Sequence, residues 1–387
     1  MSRLSALPNL PTLPTLPTSV VGSYPVPEWM ERLKTDYYRG RMSQAQVDDL
    51  HEMAIKAALR DQELAGIDIV SDGELRRDND IDYFLARMPG VEIAERAKDF
   101  YFDYYRARLT APLAPSRDAP IGLADDFAFT ASQCTGPIKF SFTGPFSLAH
   151  RVRNEAYPEQ RELVLAMARV LNAEARALAD RGAVLLQIDE PFLAGYPDQV
   201  ATAVEAINVV TEGVDVGWAL HVCYGNRYAR PLWEGHYDFL FPAVLDAHVD
   251  QLVLEFARKG YQDLPVVAKF GWDRGIGLGV IDVKSAEVET PELIAARIRS
   301  ALELVPAERL TINPDCGLRN VSGAVARAKL AAMVLGTRTV RAELAAREPV
   351  AGPPLPVPKT PKRPDPADTA AVSASQPADR TTVSQGV

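Results

Sequence analysis

The sequence contains no apolar run of membrane-spanning length and no charged, apolar, small-residue leader. Nothing in it therefore directs the chain into or through a bilayer, and a cytoplasmic location is expected. Clustered Lys and Arg are also missing. The formal net charge is -9, and neutralising nucleic-acid phosphates needs a basic surface that this chain does not offer. No internal repeat, phosphate-cradling glycine loop or serine–histidine constellation stands out; GIGLG at residues 275–279 follows FGWD and reads as a flexible turn. Cysteine is scarce. Its three residues, Cys134, Cys223 and Cys316, are widely spaced, which fits free or metal-binding thiols in a reducing compartment better than a disulfide framework. Cys134 is the spare one. Small-molecule chemistry is the class that these absences leave.

What is present is a chain of 387 residues with 47% apolar content, enough to bury a large core as one barrel or two ordinary domains. Residues 1–18 carry a Pro-Thr-Leu theme that cannot hold a helix and reads as an extended arm. Residues 351–387 are rich in Pro, Ala, Ser, Thr and Asp and almost free of aromatics. Such a tail buries too little apolar area to offset ordering and is expected to be disordered.

Between these ends, short apolar runs alternate with segments of helical period. Eight runs read as strands: 19–23, 68–74, 138–144, 184–190, 216–223, 251–256, 266–272 and 310–315. Helices are expected at 43–65, 155–181, 291–304 and 322–343, the third opening with a first-turn proline and the last with a capping serine. This alternation predicts an α/β fold, a (β/α)8 barrel over residues 19–350. Residues 89–137, with the aromatic cluster FYFDYY and several prolines, break the rhythm and read as an insertion after the second strand, a lid or a surface for pairing two copies.

His221 and Cys223 stand two apart at the end of the apolar run 216–220, and on an extended chain their side chains share one face. Cys316, in NPDCGL, would join them from a distant strand. Two thiolates and an imidazole suit a borderline-soft cation in tetrahedral geometry, and zinc is the expected metal.

The strand ends read VGSY, DGELRR, FTGP, IDEP, HVCYG, LEFA, FGW and NPDCG. This set resembles the carboxyl-terminal catalytic barrel of cobalamin-independent methionine synthase, over roughly residues 18–346. The resemblance implies zinc ligands at His221, Cys223, Glu255 and Cys316, although LEFA only approximates the family's pattern around Glu255. It also implies that the metal deprotonates an incoming thiol and presents it as the nucleophile. Asp189 in QIDEP, with Gly22 and Ser23, falls where the family seats its amino-acid substrate.

Three departures bear on which thiol is used. GELRRDNDIDYF aligns without a gap to the family's GEAERNDMVEYF, which puts Arg76 where a glutamate binds the homocysteine ammonium. Arg151 stands after FTGP in place of a pteridine-stacking tryptophan, and Lys284 replaces a histidine. A guanidinium prefers an anion such as a sulfonate. The sequence therefore also looks like epoxyalkane:coenzyme M transferase, in which the zinc-activated thiol of coenzyme M opens a small epoxide. Arg76 would be the sulfonate clamp, with Arg151 or Lys269 as substitutes. Tyr24, Asp189 or Lys284 would protonate the nascent alkoxide. Asp189 could instead bind an amine, or pair with Arg76 or Arg77. The alternative is a folate-independent methyltransferase that makes methionine from homocysteine with a corrinoid or another methyl donor. A third reading keeps the zinc as a structural clip in a non-catalytic barrel.

Overall fold

The computed structural model describes residues 13–98, 103–113 and 119–347. Its strands, in chain order, are β1 (Val91–Lys98), β2 (Tyr105–Leu109), β3 (Phe140–Thr143), β4 (Val152–Asn154), β5 (Leu185–Asp189), β6 (Gly217–Val222), β7 (Gln251–Leu254), β8 (Gly275–Ile281) and β9 (Leu310–Pro314). Six of them form a parallel sheet in the order β3-β5-β6-β7-β8-β9. Short parallel bridges complete the circle: Thr18 to Ile312 of β9, Ser19 to Ile69, and Val70 to Ile138 just ahead of β3. Eight strand positions thus close into the expected (β/α)8 barrel. The tail 351–387 and the first 12 residues of the expected arm lie outside the described residues; Thr18, its last residue, is already part of the first barrel strand.

The alternation of side chains along β6 shows how the wall is built. Trp218, Leu220 and Val222 belong to the large apolar core shared with the helices, whereas Ala219 joins Val21 and Val253 in a separate small cluster inside the barrel. With a period of two, His221 follows Ala219 to the inside. Outside, the helix Gln44–Ala65 starts at Ser43, whose side chain and that of Gln46 form a reciprocal capping box, and it stops at Gly66 in the left-handed region. Thr290 caps Pro291–Leu302 through the backbone N–H of Leu293. Gln160–Asp180 and Gly323–Arg347 fill the other two expected helical positions.

Two expectations exchange places. Residues 266–272 are not a strand: Leu264–Lys269 is a short helix with a proline in its first turn. The seventh barrel strand is instead β8, which carries the GIGLG read as a turn. Its glycines answer to close packing. A Cβ on Gly277 would lie 2.5 Å from Asn313 Nδ2, and one on Gly279 would lie 2.1 Å from Asp315 Oδ1, so only glycine lets β8 pass its neighbours. The stretch 89–137 also divides. β1 and β2 pair antiparallel, and β2 also pairs in parallel with β4. Leu123–Gln133, however, packs against Gln160–Asp180 as a helix of the ring. Residues 100–102 of the aromatic cluster lie outside the described residues.

Ring closure depends on one carboxylate. Asp68 Oδ2 accepts from Thr18 N and Thr18 Oγ1, both at 2.7 Å, and from Arg341 Nη2 at 2.5 Å. Thr18 is fully buried. Asp68→Ala should therefore leave a buried N–H without a partner, at a cost of about 2 kcal/mol. The expected readout is a melting temperature a few degrees lower; an unchanged one would show that closure does not rely on this carboxylate.

Candidate metal centre

Two strand ends meet at the carboxyl face of the barrel. β6 carries His221 and runs on to Cys223, β9 runs on to Cys316, and the three ligand atoms all lie within 4.8 Å of one another. His221 Nδ1 lies 2.9 Å from the Val253 carbonyl oxygen, so Nδ1 carries the proton and Nε2 offers its lone pair. Buried Nε2 has no hydrogen-bond partner, an arrangement that metal ligation would satisfy. The sulfurs of Cys223 and Cys316 are 3.7 Å apart. Two sulfurs bound to one tetrahedral zinc would be about 3.8 Å apart, given Zn–S near 2.3 Å. The donors therefore fit the ion in both chemistry and spacing. Without it, the hydrogen bond that Cys316 donates to Cys223, and then burial, push the Cys316 thiol well above its ordinary pKa.

Asp315 fixes the neighbouring loop. Its carboxylate accepts from the backbone N–H groups of Phe256, Ala257 and Arg258 at 2.9, 2.8 and 2.9 Å. That ties the turn after β7 to the strand that bears Cys316. Glu255, in the same turn, is fully buried but stands outside the three-donor cluster. Its Oε1 accepts from Arg258 Nε at 2.7 Å and its Oε2 from Lys284 Nζ at 2.8 Å.

A cavity of about 420 Å³ opens beside the cluster, lined by Ser23, Glu74, Asp189, His221, Cys223 and Cys316 among others. Gly73 and Glu74 have φ of 70° and 57°, and this double left-handed turn sends the Glu74 carboxylate inward. There Glu74 Oε1 accepts from Ser141 Oγ at 2.8 Å and lies 3.7 Å from Arg77. A Cβ on Gly22 would be 2.1 Å from the same oxygen, so Gly22 makes room for this carboxylate. Asp189, aligned with His221 across β5 and β6, accepts from Gln187 Nε2 at 2.7 Å. Burial pushes its carboxyl up to about 7, against the pull of His221. Burial raises Glu74 as well, against the pull of Arg77.

The same turn sends Arg76 the other way. Its guanidinium pairs with Asp126 at 3.3 Å and lies 5.0 Å over Phe129, on the helix side of the wall. The expected sulfonate clamp is thus not in the cavity, because the side chains of Glu74 and Arg76 leave the turn on opposite sides. Arg77 is buried, donating to the Ser141 carbonyl at 2.6 Å. Arg151 lies behind the cavity wall, over the rings of Tyr104 and Phe192 at 5.2 and 5.8 Å. Lys269 is exposed on its helix and lies over Phe270. Tyr24 also turns away: its hydroxyl donates to Asp61 Oδ2 at 3.2 Å, and burial followed by Asp61 raises its pKa. Cys134 Sγ lies 3.6 Å from the Thr130 carbonyl, apart from the cluster.

Glu74, Asp80 and Tyr104 were not singled out from sequence, yet all three line the cavity, with Tyr104 donating to Asp80 at 2.8 Å. The dipeptide Gly73-Glu74 was the available signal, since a glycine at a strand end permits the backbone turn that redirects the next side chain. Among the described residues no helix is long and apolar enough to cross a membrane.

Known proteins resemble this chain. Residues 16–338 match the catalytic domain of cobalamin-independent synthase. The chain is 36% identical over 345 residues to a methionine synthase of Saccharolobus solfataricus, covering 89% of this chain and 98% of that protein. It is 35% identical over 329 residues to one of Sulfurisphaera tokodaii, covering 84% and 93%. Among solved structures, a B12-independent methionine synthase from Shewanella sp. W3-18-1 in complex with selenomethionine superposes with a TM-score of 0.75 at 27% identity, covering 86% of this chain and 99% of that one. A methyltransferase from Methanosarcina mazei shares the fold, with a TM-score of 0.57 at 16% identity over 89% of this chain and 98% of that one. With the donor cluster and cavity in place, and with matches of this length and identity, the chain belongs to the cobalamin-independent methionine synthase catalytic-domain family.

Proposed function

We propose that this enzyme is a zinc-dependent methyltransferase that makes methionine by moving a methyl group onto the sulfur of homocysteine. The observation that carries the reading is the pair of inward carboxylates, Glu74 and Asp189, beside the His221, Cys223 and Cys316 cluster. An amino-acid thiol brings an ammonium group, and two desolvated carboxylates form a favourable seat for it. The cavity is acid-rich throughout: Glu31, Glu74, Asp78, Asp80, Asp103 and Asp189 line it against Arg227 and Arg319. Both Arg319 Nη atoms already donate, to the carbonyls of Arg77 and Asp78 at 3.1 and 2.6 Å. A sulfonate would meet repulsion where an ammonium meets attraction.

Zinc held by His221, Cys223 and Cys316 would keep the substrate thiol deprotonated near neutral pH. Ser23 and the two carboxylates, which line the same cavity, would hold the amino-acid end. The thiol proton leaves, the sulfur forms the S–CH3 bond, and the donor departs with the electron pair of the bond that breaks. With Arg151 in the place of a stacking tryptophan, the donor in this reading is a corrinoid or another small methyl donor. Glu255 as a fourth ligand belongs to the same proposal; it stands at the edge of the cluster, where Lys284 Nζ donates to its Oε2 at 2.8 Å.

Calorimetric titration of zinc-loaded protein with homocysteine and with coenzyme M tests the reading. Homocysteine should bind at least about tenfold more tightly, as one charge-assisted pair is worth roughly 1.5 to 3 kcal/mol. The reverse order would restore epoxide opening by coenzyme M.

A further inference from the structure

Glu74 and Asp189 are enough to seat one ammonium group, yet Glu31, Asp78, Asp80 and Asp103 line the same cavity. The arginines on that lining are engaged elsewhere. Arg319 donates to two backbone carbonyls, and the Arg227 guanidinium lies 4.3 Å over the Tyr228 ring. Aromatic rings stand among these acids. Tyr104, which leads into β2, and Phe192, in the loop after β5, both line the cavity with ring centroids 6.3 Å apart, and Tyr228 joins them from the loop after β6. Arg151 lies over Tyr104 and Phe192 at 5.2 and 5.8 Å but is not a lining residue. Tyr104 couples ring to carboxylate, because its hydroxyl donates to Asp80 Oδ1 at 2.8 Å. Burial pushes the Asp80 carboxyl up, against that hydrogen bond, so a cation arriving beside it would offset the cost of its charge. A methylated cation has no N–H or O–H to donate; it is held by charge and by the faces of aromatic rings, and this wall of the cavity offers both.

We infer that the methyl donor is a small sulfonium ion, held at Asp80, Tyr104 and Phe192, which gives its methyl group to the homocysteine sulfur in the same cavity. This rests on the methyl-transfer reading proposed above and narrows its donor. The step balances without an acid. The thiolate's electron pair forms the new S–CH3 bond, the pair of the breaking bond returns to the sulfonium sulfur, and a neutral thioether leaves with no proton to collect. An anion and a cation thus become two neutral sulfur groups, and the acidic wall that attracts the donor does not hold the product. Size agrees with a small donor. The cavity of about 420 Å³ lies at the low end of the roughly 300 to 1,000 Å³ found for small-molecule sites, and the amino acid takes part of it. A quaternary ammonium ion has the same charge and a similar shape but a poorer leaving group, so it serves as a binding probe.

Calorimetric titration with homocysteine comes first, and failure there is failure of the methyl-transfer reading. In zinc-loaded protein saturated with homocysteine, tetramethylammonium should then bind at least about tenfold more tightly than tert-butanol, a neutral molecule of similar shape. Asp80→Asn and Tyr104→Leu should each weaken that binding by about fivefold or more. A donor assay completes the test, with trimethylsulfonium, methylcobalamin and methyltetrahydrofolate compared at equal concentration. Methionine should form from trimethylsulfonium at least about tenfold faster than from the other two, and Asp80→Asn should raise the KM for this donor about fivefold while kcat stays within about threefold. Methionine from methylcobalamin or methyltetrahydrofolate but not from trimethylsulfonium would keep the methyl-transfer reading and overturn the sulfonium donor. Tetramethylammonium binding that neither substitution weakens would overturn it as well. If Tyr104→Leu does not fold, the isosteric Asp80→Asn decides alone.

Discussion

Cys316→Ser is expected to release zinc, lower methyl transfer by about a thousandfold or more, and leave a folded barrel. Ligand arithmetic sets the size. Altering a residue that merely supports a zinc ligand typically costs 10- to 100-fold in metal affinity, so removing one of three donor atoms should cost more than about 100-fold. Activation of the substrate by the metal is worth several kcal/mol of barrier, which gives the loss in rate. The barrel should survive because its contacts lie elsewhere. The β8–β9 pairing runs from Ile276–Leu310 to Ile281–Pro314, ahead of Cys316, and the Asp315 carboxylate keeps its three backbone donors whatever the next side chain is. Zinc content by emission spectroscopy, circular dichroism and initial rate together give the answer. A wild-type turnover number from metal-free protein would sink the metal reading. Zinc affinity should also rise with pH. The hydrogen bond that Cys316 donates to Cys223, and then burial, hold the Cys316 thiol well above its ordinary value, so metal uptake must release a proton there.

Much of this was legible in the sequence because it follows from local spacing. The period of two along β6 places His221 and Cys223 on the inner face, and the structure brings them together with Cys316. The helix expected from Ser43 is capped by that serine, and the one expected to open with Pro291 has that proline in its first turn. The misreadings came from positions where a distant neighbour decides. GIGLG has the composition of a turn, and only the side chains of Asn313 and Asp315 pressing on it make a glycine-rich strand the better solution. At residues 73–77 the alignment was gapless, yet the register of a motif does not say which way each side chain leaves a left-handed turn. Glu74 goes inward and Arg76 outward, and it is on that one bend that the proposed reading prefers an ammonium to an anion.

Asp189→Asn should weaken homocysteine binding by about 10- to 100-fold, the range of one charge-assisted hydrogen bond, and should remove the pH dependence of that binding near neutrality. Asp189 titrates near 7 in the free protein because burial disfavours its charge. The ligand's ammonium needs the carboxylate ionised, so below this pKa binding must first expel a proton, and affinity should fall by about tenfold per pH unit. Above it the profile should be flat until the ligand's own amine loses its proton. Glu74→Gln should lower the plateau by a similar factor, since burial raises that carboxyl too and its oxygen faces the same cavity. Stability should move in the opposite direction. A buried Asp that titrates near 7, against 3.8 when unfolded, binds its proton more tightly in the native state. Its burial therefore costs nothing below the unfolded value and becomes progressively unfavourable as pH rises toward the folded one. At alkaline pH the neutral amide should relieve that strain, on the order of a few kcal/mol, and raise the melting temperature. Tighter folding together with weaker homocysteine binding in one variant is the signature of a carboxylate kept charged for a ligand. Asp189→Asn with unchanged homocysteine affinity across neutral pH would remove this residue from the substrate site and leave Glu74 alone to hold the ammonium.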